Sequence, residues 1–178
     1  VDKLSQQVLR GKLLFHDARD LRLARDGYMS CASCHNDGGH DGRTWDLSHL
    51  GEGLRNTTAL RGRAATGHGF MHWSANFDEL QDFEGQIRAL SGGSGLMSDA
   101  DFFAGTRSNP LGDPKTGLSS DLDALAAYVA SLSAFDPSPA RGADGSLDAA
   151  GLAGKAVFQR FNCASCHGPL GAGDGTVN

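Results

Sequence analysis

Two pentapeptides carry all four cysteines of the chain, Cys31-Ala32-Ser33-Cys34-His35 and Cys163-Ala164-Ser165-Cys166-His167. Two residues between thiols, followed at once by an imidazole, is the attachment pattern of a c-type haem, here written twice. One turn of helix brings both sulfurs to the two vinyl groups of a porphyrin, and the next residue turns its imidazole onto the iron as proximal ligand. Each pentapeptide thus supplies two covalent anchors, Cys31 with Cys34 or Cys163 with Cys166, and one metal ligand, His35 or His167. Disulfides, thioredoxin-like redox pairs or a four-thiolate zinc site are competing uses of paired cysteines, and each leaves the His after both pairs unexplained. Two covalently bound haem c groups are therefore expected. They imply maturation in an oxidising place outside the cytoplasm, periplasmic or extracellular, since neither thiol pair is left over for disulfides.

The elements that hold these sites must come from a thin apolar repertoire. The chain has 178 residues, enough for one domain or two small ones, with 25 glycines and only 13 aromatic residues. Two large macrocycles supply core that such side chains lack, at about 25 cal/mol per Å² of apolar surface buried. A net charge of −5 without acidic or basic blocks excludes a nucleic-acid footprint. No run approaches the roughly 20 apolar residues of a membrane span. The start at Val1 without a leader reads as a processed or excised chain, and the 11 residues after His167 contain neither Met nor His, so the second haem domain reads as incomplete.

The repeat extends beyond the pentapeptides. Gly11-Lys12-Leu13-Leu14-Phe15 precedes the first and Gly154-Lys155-Ala156-Val157-Phe158 the second, so two related units are expected. Leu4, Val8, Leu9 and Leu13 recur at helical spacing behind Asp2 as a cap. From His35 to Gly69 the sequence reads as a long loop folded around a cofactor. Asn76 and Glu79 make a capping-box-like start to a helix with Leu80, Phe83, Ile87 and Leu90 on one face, Asp82 and Glu84 being read as its solvated side. Ser98 caps a short helix with Phe102 and Phe103, and Ser120 opens another with Leu122, Leu125, Val129 and Leu132. The spacing predicts an N-terminal haem domain over 1–136, a linker over 137–146, and the start of a second haem domain over 147–178. No segment alternates as a strand does, so the fold class expected is all-α.

These words in this order resemble a known family: Gly-Lys-x-Leu-Phe, Ser30-Cys31-Ala32-Ser33-Cys34-His35, Asp41-Gly42-Arg43, Arg55-Asn56-Thr57, Trp73 before a Leu-containing helix, Leu125-Ala126-Ala127-Tyr128 and Ser133-Ala134-Phe135-Asp136. They look like the bacterial dihaem cytochrome c peroxidase and MauG-like proteins. The resemblance implies two cytochrome-c-like helical domains with one haem each, located outside the cytoplasmic membrane. It implies that Trp73 lies between the haems and that a calcium sits near Asn56. It also departs from the family, because Ser74-Ala75-Asn76 replaces Asp-Gly-Arg after the Trp, and Leu96-Met97 stands where a Glu-Met pair serves peroxide chemistry.

A sixth ligand of the first iron must approach from the face opposite His35, with its Cα roughly 12 to 13 Å away around the porphyrin edge, and n residues span at most about 3.3 to 3.6 Å times n. His40, five residues on, barely reaches, whereas His49, fourteen residues on, does so easily. The resemblance agrees, since the family's distal His precedes its Arg-Asn word. His68 and His72 are the competitors. The expected function is electron transfer between two haems and a small redox protein or fused redox domain. The alternative is an enzyme, a cytochrome c peroxidase or MauG-like oxidoreductase using hydrogen peroxide.

Overall fold

Ser5 starts the first helix, its hydroxyl accepting the Val8 N–H at 3.3 Å, and α1 runs Gln6–His16. Asp2, the cap expected, lies outside the residues described in this computed structural model, which are 3–62, 70–134 and 138–164. Two compact units divide the chain, Val1–Ser133 and Ala134–Asn178.

In the first unit α1 lies across a second long helix, α5 (Ser120–Ser131), capped by the Ser119 hydroxyl on Leu122 N–H. The crossing is close because Gly11 has no side chain. A Cβ there would stand 1.8 Å from the Ala124 carbonyl oxygen. Around this point Leu14 and Phe15 meet Leu122, Leu125, Tyr128 and Val129, and the Phe15 ring stands edge-on to Tyr128 at 5.2 Å. Arg10 ties the two helices at their edge with paired hydrogen bonds of 2.8 Å to Asp121, which also receives Arg22 at 2.9 Å.

Between α1 and α5 come α2 (Cys31–Cys34), α3 (Phe83–Ala89) and α4 (Asp99–Phe102). A 3-10 turn, Leu80–Asp82, leads into α3, and its capping box is built by Glu79 and Asp82, one step later than the Asn76 start the sequence suggested. Asp82 and Glu84 are not a solvated face. Asp82 is buried against the Lys115 ammonium at 2.5 Å, and Glu84 is wholly buried, accepting from Arg88 Nε at 2.9 Å, Leu96 N–H at 2.9 Å and Met97 N–H at 3.1 Å. The reason is that segments 93–98 and 112–116 fold over the side of α3 that helical periodicity leaves bare. Gly95, at φ +91°, is what lets the backbone pass, since a Cβ would fall on the Glu84 carboxylate.

The all-α expectation is overturned by a hairpin inside the long loop. β1 (Thr44–Asp46) pairs antiparallel with β2 (Leu54–Asn56), with Trp45 opposite Arg55. Helices account for well under half of the chain. Strands of three residues lying on the surface bury no alternating face, so the pattern that betrays a strand is missing. The turn between them relies on Gly51 and Gly53, both at positive φ.

In the second unit the stretch read as a linker closes on itself: Gly142 N–H donates to the Ser146 carbonyl at 2.8 Å and Asp148 N–H to Ala140 at 2.9 Å. Asp148 then caps α6 (Ala149–Arg160) by accepting the Gly151 N–H at 2.7 Å. No helix among the described residues is long and apolar enough to cross a membrane.

Candidate haem site

Ser30 fixes the turn that carries the first thiol pair. Its N–H donates to the Ser33 hydroxyl at 3.0 Å, closing a capping box around a single turn of helix, α2. That turn sets Cys31, Cys34 and His35 on one wall of a cleft. Phe15 from α1, Leu122 and Leu125 from α5, and Phe83, Ile87 and Leu90 from α3 make the rest. The cleft holds about 950 Å³ of empty space, open solvent at its mouth included. The lining is overwhelmingly apolar, as a porphyrin face requires.

The donor set fits a covalently held haem. Both thiols are free, and burial pushes the Cys31 thiol up to about 11. Burial lowers the pKa of His35 against the raising effect of the Gly39 and Thr58 backbone, which favours the neutral imidazole. Its Nδ1 lies 3.4 Å from the Gly39 carbonyl oxygen, an acceptor that puts the proton on Nδ1 and leaves Nε2 as the electron pair for a metal. In the first unit Cys31, Cys34 and His35 all line the same cleft. Of the second pentapeptide, Cys163 is described, half-buried and free, while Cys166 and His167 lie outside the described residues.

The wall facing α2 holds what sequence reasoning missed. Gln86 is a polar side chain on an apolar face, between Phe83 and Leu90. The signal was an amide within the Leu80, Phe83, Ile87, Leu90 stripe. Behind Gln86 stands His72, whose Nε2 lies 3.4 Å from Gln86 Nε2 and whose ring is stacked on Phe77 at 4.8 Å.

His49 is exposed in a 3-10 turn, Ser48–Leu50, and does not line the cleft. His68 lies outside the described residues. Trp73 donates its indole N–H to the Asn56 carbonyl at 2.7 Å, yet the residue is 57% exposed, so it is no core residue. Asn56 also accepts the Thr44 hydroxyl at 2.6 Å through its side chain. No group of three or more His, Cys, Asp and Glu converges on a cation site among the described residues.

Residues 5–93 match the family described as di-haem cytochrome c peroxidase. The gamma subunit of hydrazine synthase from Kuenenia stuttgartiensis is 31% identical over 170 residues, covering 92% of this chain and 43% of that subunit. A solved structure of Kuenenia stuttgartiensis hydrazine synthase, pressurised with 20 bar xenon, aligns at a TM-score of 0.51 and 29% identity, over 94% of this chain and 50% of that one. The chain spans about half the length of the relatives it matches.

Proposed function

The chain belongs to the di-haem cytochrome c peroxidase family, and from that premise we propose that it is an extracytoplasmic redox unit, with haem held covalently by Cys31 and Cys34 under His35 and a second haem by Cys163 and Cys166 under His167. It passes electrons between these haems and a small redox protein or fused redox domain. Its likeness to a hydrazine synthase gamma subunit supports a place within a larger oxidoreductase that handles small nitrogen compounds. A bound haem supplies a one-electron couple and, on its free face, room for a small ligand. The residues do the rest. Cys31 and Cys34 would hold the haem, the Gly39 carbonyl orients His35, Phe83 and Ile87 would keep water out, and Gln86 would offer an amide to whatever enters.

The observation that carries this reading is the cleft itself, lined together by both thiols, the proximal imidazole, apolar side chains and one amide. It supports leaving the face opposite His35 to a small ligand. Replacing His49 by Ala is then expected to leave the spin state of the first iron unchanged, and conversion to high spin would restore His49 as its ligand. The peroxide-using alternative has less support, since Glu84, the carboxylate beneath Leu96 and Met97, is committed to Arg88 and two backbone amides. Trp73 as an electron path between the haems and calcium at Asn56 rest on the resemblance alone, both Asn56 oxygens being already engaged.

The deciding experiment compares two rates on the haem-loaded protein: electron exchange with a small reduced cytochrome, and steady-state peroxide consumption in the half-reduced state. Fast exchange with weak peroxide turnover is expected. Robust peroxide turnover would make the chain a peroxidase, and haem removable by acid-acetone would defeat the covalent assignment.

A further inference from the structure

Glu52 is a buried carboxylate in a loop that is otherwise largely open to solvent, and four side chains converge on it. The Ser74 hydroxyl donates to its Oε2, Asn76 Nδ2 donates to its Oε1 at 2.8 Å, Arg55 Nε stands 3.5 Å from Oε2, and His72 Nδ1 stands 3.5 Å from Oε1. Asn76, its amide nitrogen on Glu52, turns its oxygen to His72 Nδ1 at 2.9 Å. Both neighbours of Nδ1 are therefore acceptors, so the ring's proton sits on Nδ1 and the Nε2 lone pair faces Gln86. Phe77 beneath the ring and Phe83 at its edge complete the surroundings and bring no charge.

We propose that Glu52 and His72 form a proton-accepting pair behind the cleft wall, gated by Gln86, which takes the proton of a protic small ligand as it binds at the haem. The inference rests on the reading of the cleft as a haem site with an open face. Hydrogen cyanide is a suitable probe, because it binds ferric iron as cyanide and must release one proton. When the Gln86 side chain swings off the ring, the H–C bond of hydrogen cyanide breaks, its proton forms an N–H bond on His72 Nε2, and the Glu52 carboxylate balances the imidazolium. Glu52 is a positioning residue. It touches no ligand and acts by fixing which ring nitrogen is free.

The test measures cyanide association with the ferric holoprotein across pH, beside carbon monoxide association with the reduced protein. His72→Phe keeps the aromatic stack and removes the base. Cyanide association at neutral pH should slow roughly 10²-fold, at the low end of what a positioned base contributes. Glu52→Gln keeps the size of the side chain and removes the charge that balances the imidazolium, so cyanide association should slow roughly tenfold. Carbon monoxide needs no proton, and its association should change less than about twofold in either variant, which reports on fold and access. Unchanged cyanide kinetics in His72→Phe would overturn this proposal and leave the cleft reading intact. A wild-type protein that binds neither probe would overturn the open face, and this proposal with it. Equal slowing of both probes would show a structural role only and would also refute it.

Discussion

Helices α1 and α6 share the word Gly-Lys-x-x-Phe and use it differently. In α1, Gly11, Leu14 and Phe15 are buried, Phe15 to 1% exposure. In α6 none of the residues is buried among those described, and Val157, the counterpart of Leu14, is 54% exposed. A Cβ on Gly11 would enter the α5 backbone, whereas one on Gly154 would meet nothing within 4 Å. The word therefore encodes a helix edge that permits close approach, and the burial is conferred by α5. Helical propensity alone does not carry such a segment, because most helical stability comes from packing an apolar face.

The sharpest way to break this comparison is to truncate both phenylalanines. Phe15→Ala should destabilise the first unit by about 3–5 kcal/mol, the usual cost of removing a fully buried ring. Phe158, half-buried, should lose less on truncation to Ala, about 1–2 kcal/mol. Denaturant unfolding of the haem-loaded protein followed by circular dichroism measures both, and equal costs would contradict the comparison.

The glycines give a smaller effect with opposite signs. Gly11→Ala should cost about 1–3 kcal/mol as α1 is forced off α5. Gly154→Ala should stabilise α6 by up to about 1 kcal/mol through helix propensity. A loss at Gly154 in thermal unfolding would reveal a close partner for α6.

Acid supplies the mildest probe. Hydrogen bonds from Arg22 to Asp20 and from Arg10 to Asp121 hold both carboxyls below the usual carboxylate range. A depressed folded pKa contributes stability above the unfolded value of about 3.9, and that contribution is lost as pH falls through the folded pKa. Stability of the α1–α5 pair should therefore decline below about pH 4, and Asp121→Asn should flatten that decline by under about 1 kcal/mol, given how exposed the arginines are. An acid titration of the two proteins with the same slope would remove the clamp from the account.

The parts legible in the sequence were those with local chemistry. The two Cys-Ala-Ser-Cys-His pentapeptides are legible because their chemistry lies within five consecutive residues of fixed spacing. Helix α5 shows because Leu122, Leu125 and Val129 repeat at helical period, and Ser98 shows as a cap because its hydroxyl serves Asp101 N–H within its own turn. The features that escaped depend on distant segments. Burial of Glu84 is decided by residues 95–97, and burial of Asp82 by Lys115. Glu52 and His72 meet across twenty residues of chain that carry no shared pattern. The hairpin escaped because Trp45 and Leu54 face solvent and leave no alternation to read.

Helix α3 is anchored through two inaccessible carboxylates near its start, Asp82 on Lys115 and Glu84 on Arg88 and the amides of residues 96 and 97. The cleft wall that bears Phe83, Gln86 and Ile87 is thus locked before anything binds. A site whose dipoles and packing are already in place needs little rearrangement of nuclei when charge changes at its centre. Under the proposed electron-transfer role, the rigidity that these carboxylates give the wall would mean a low reorganisation barrier.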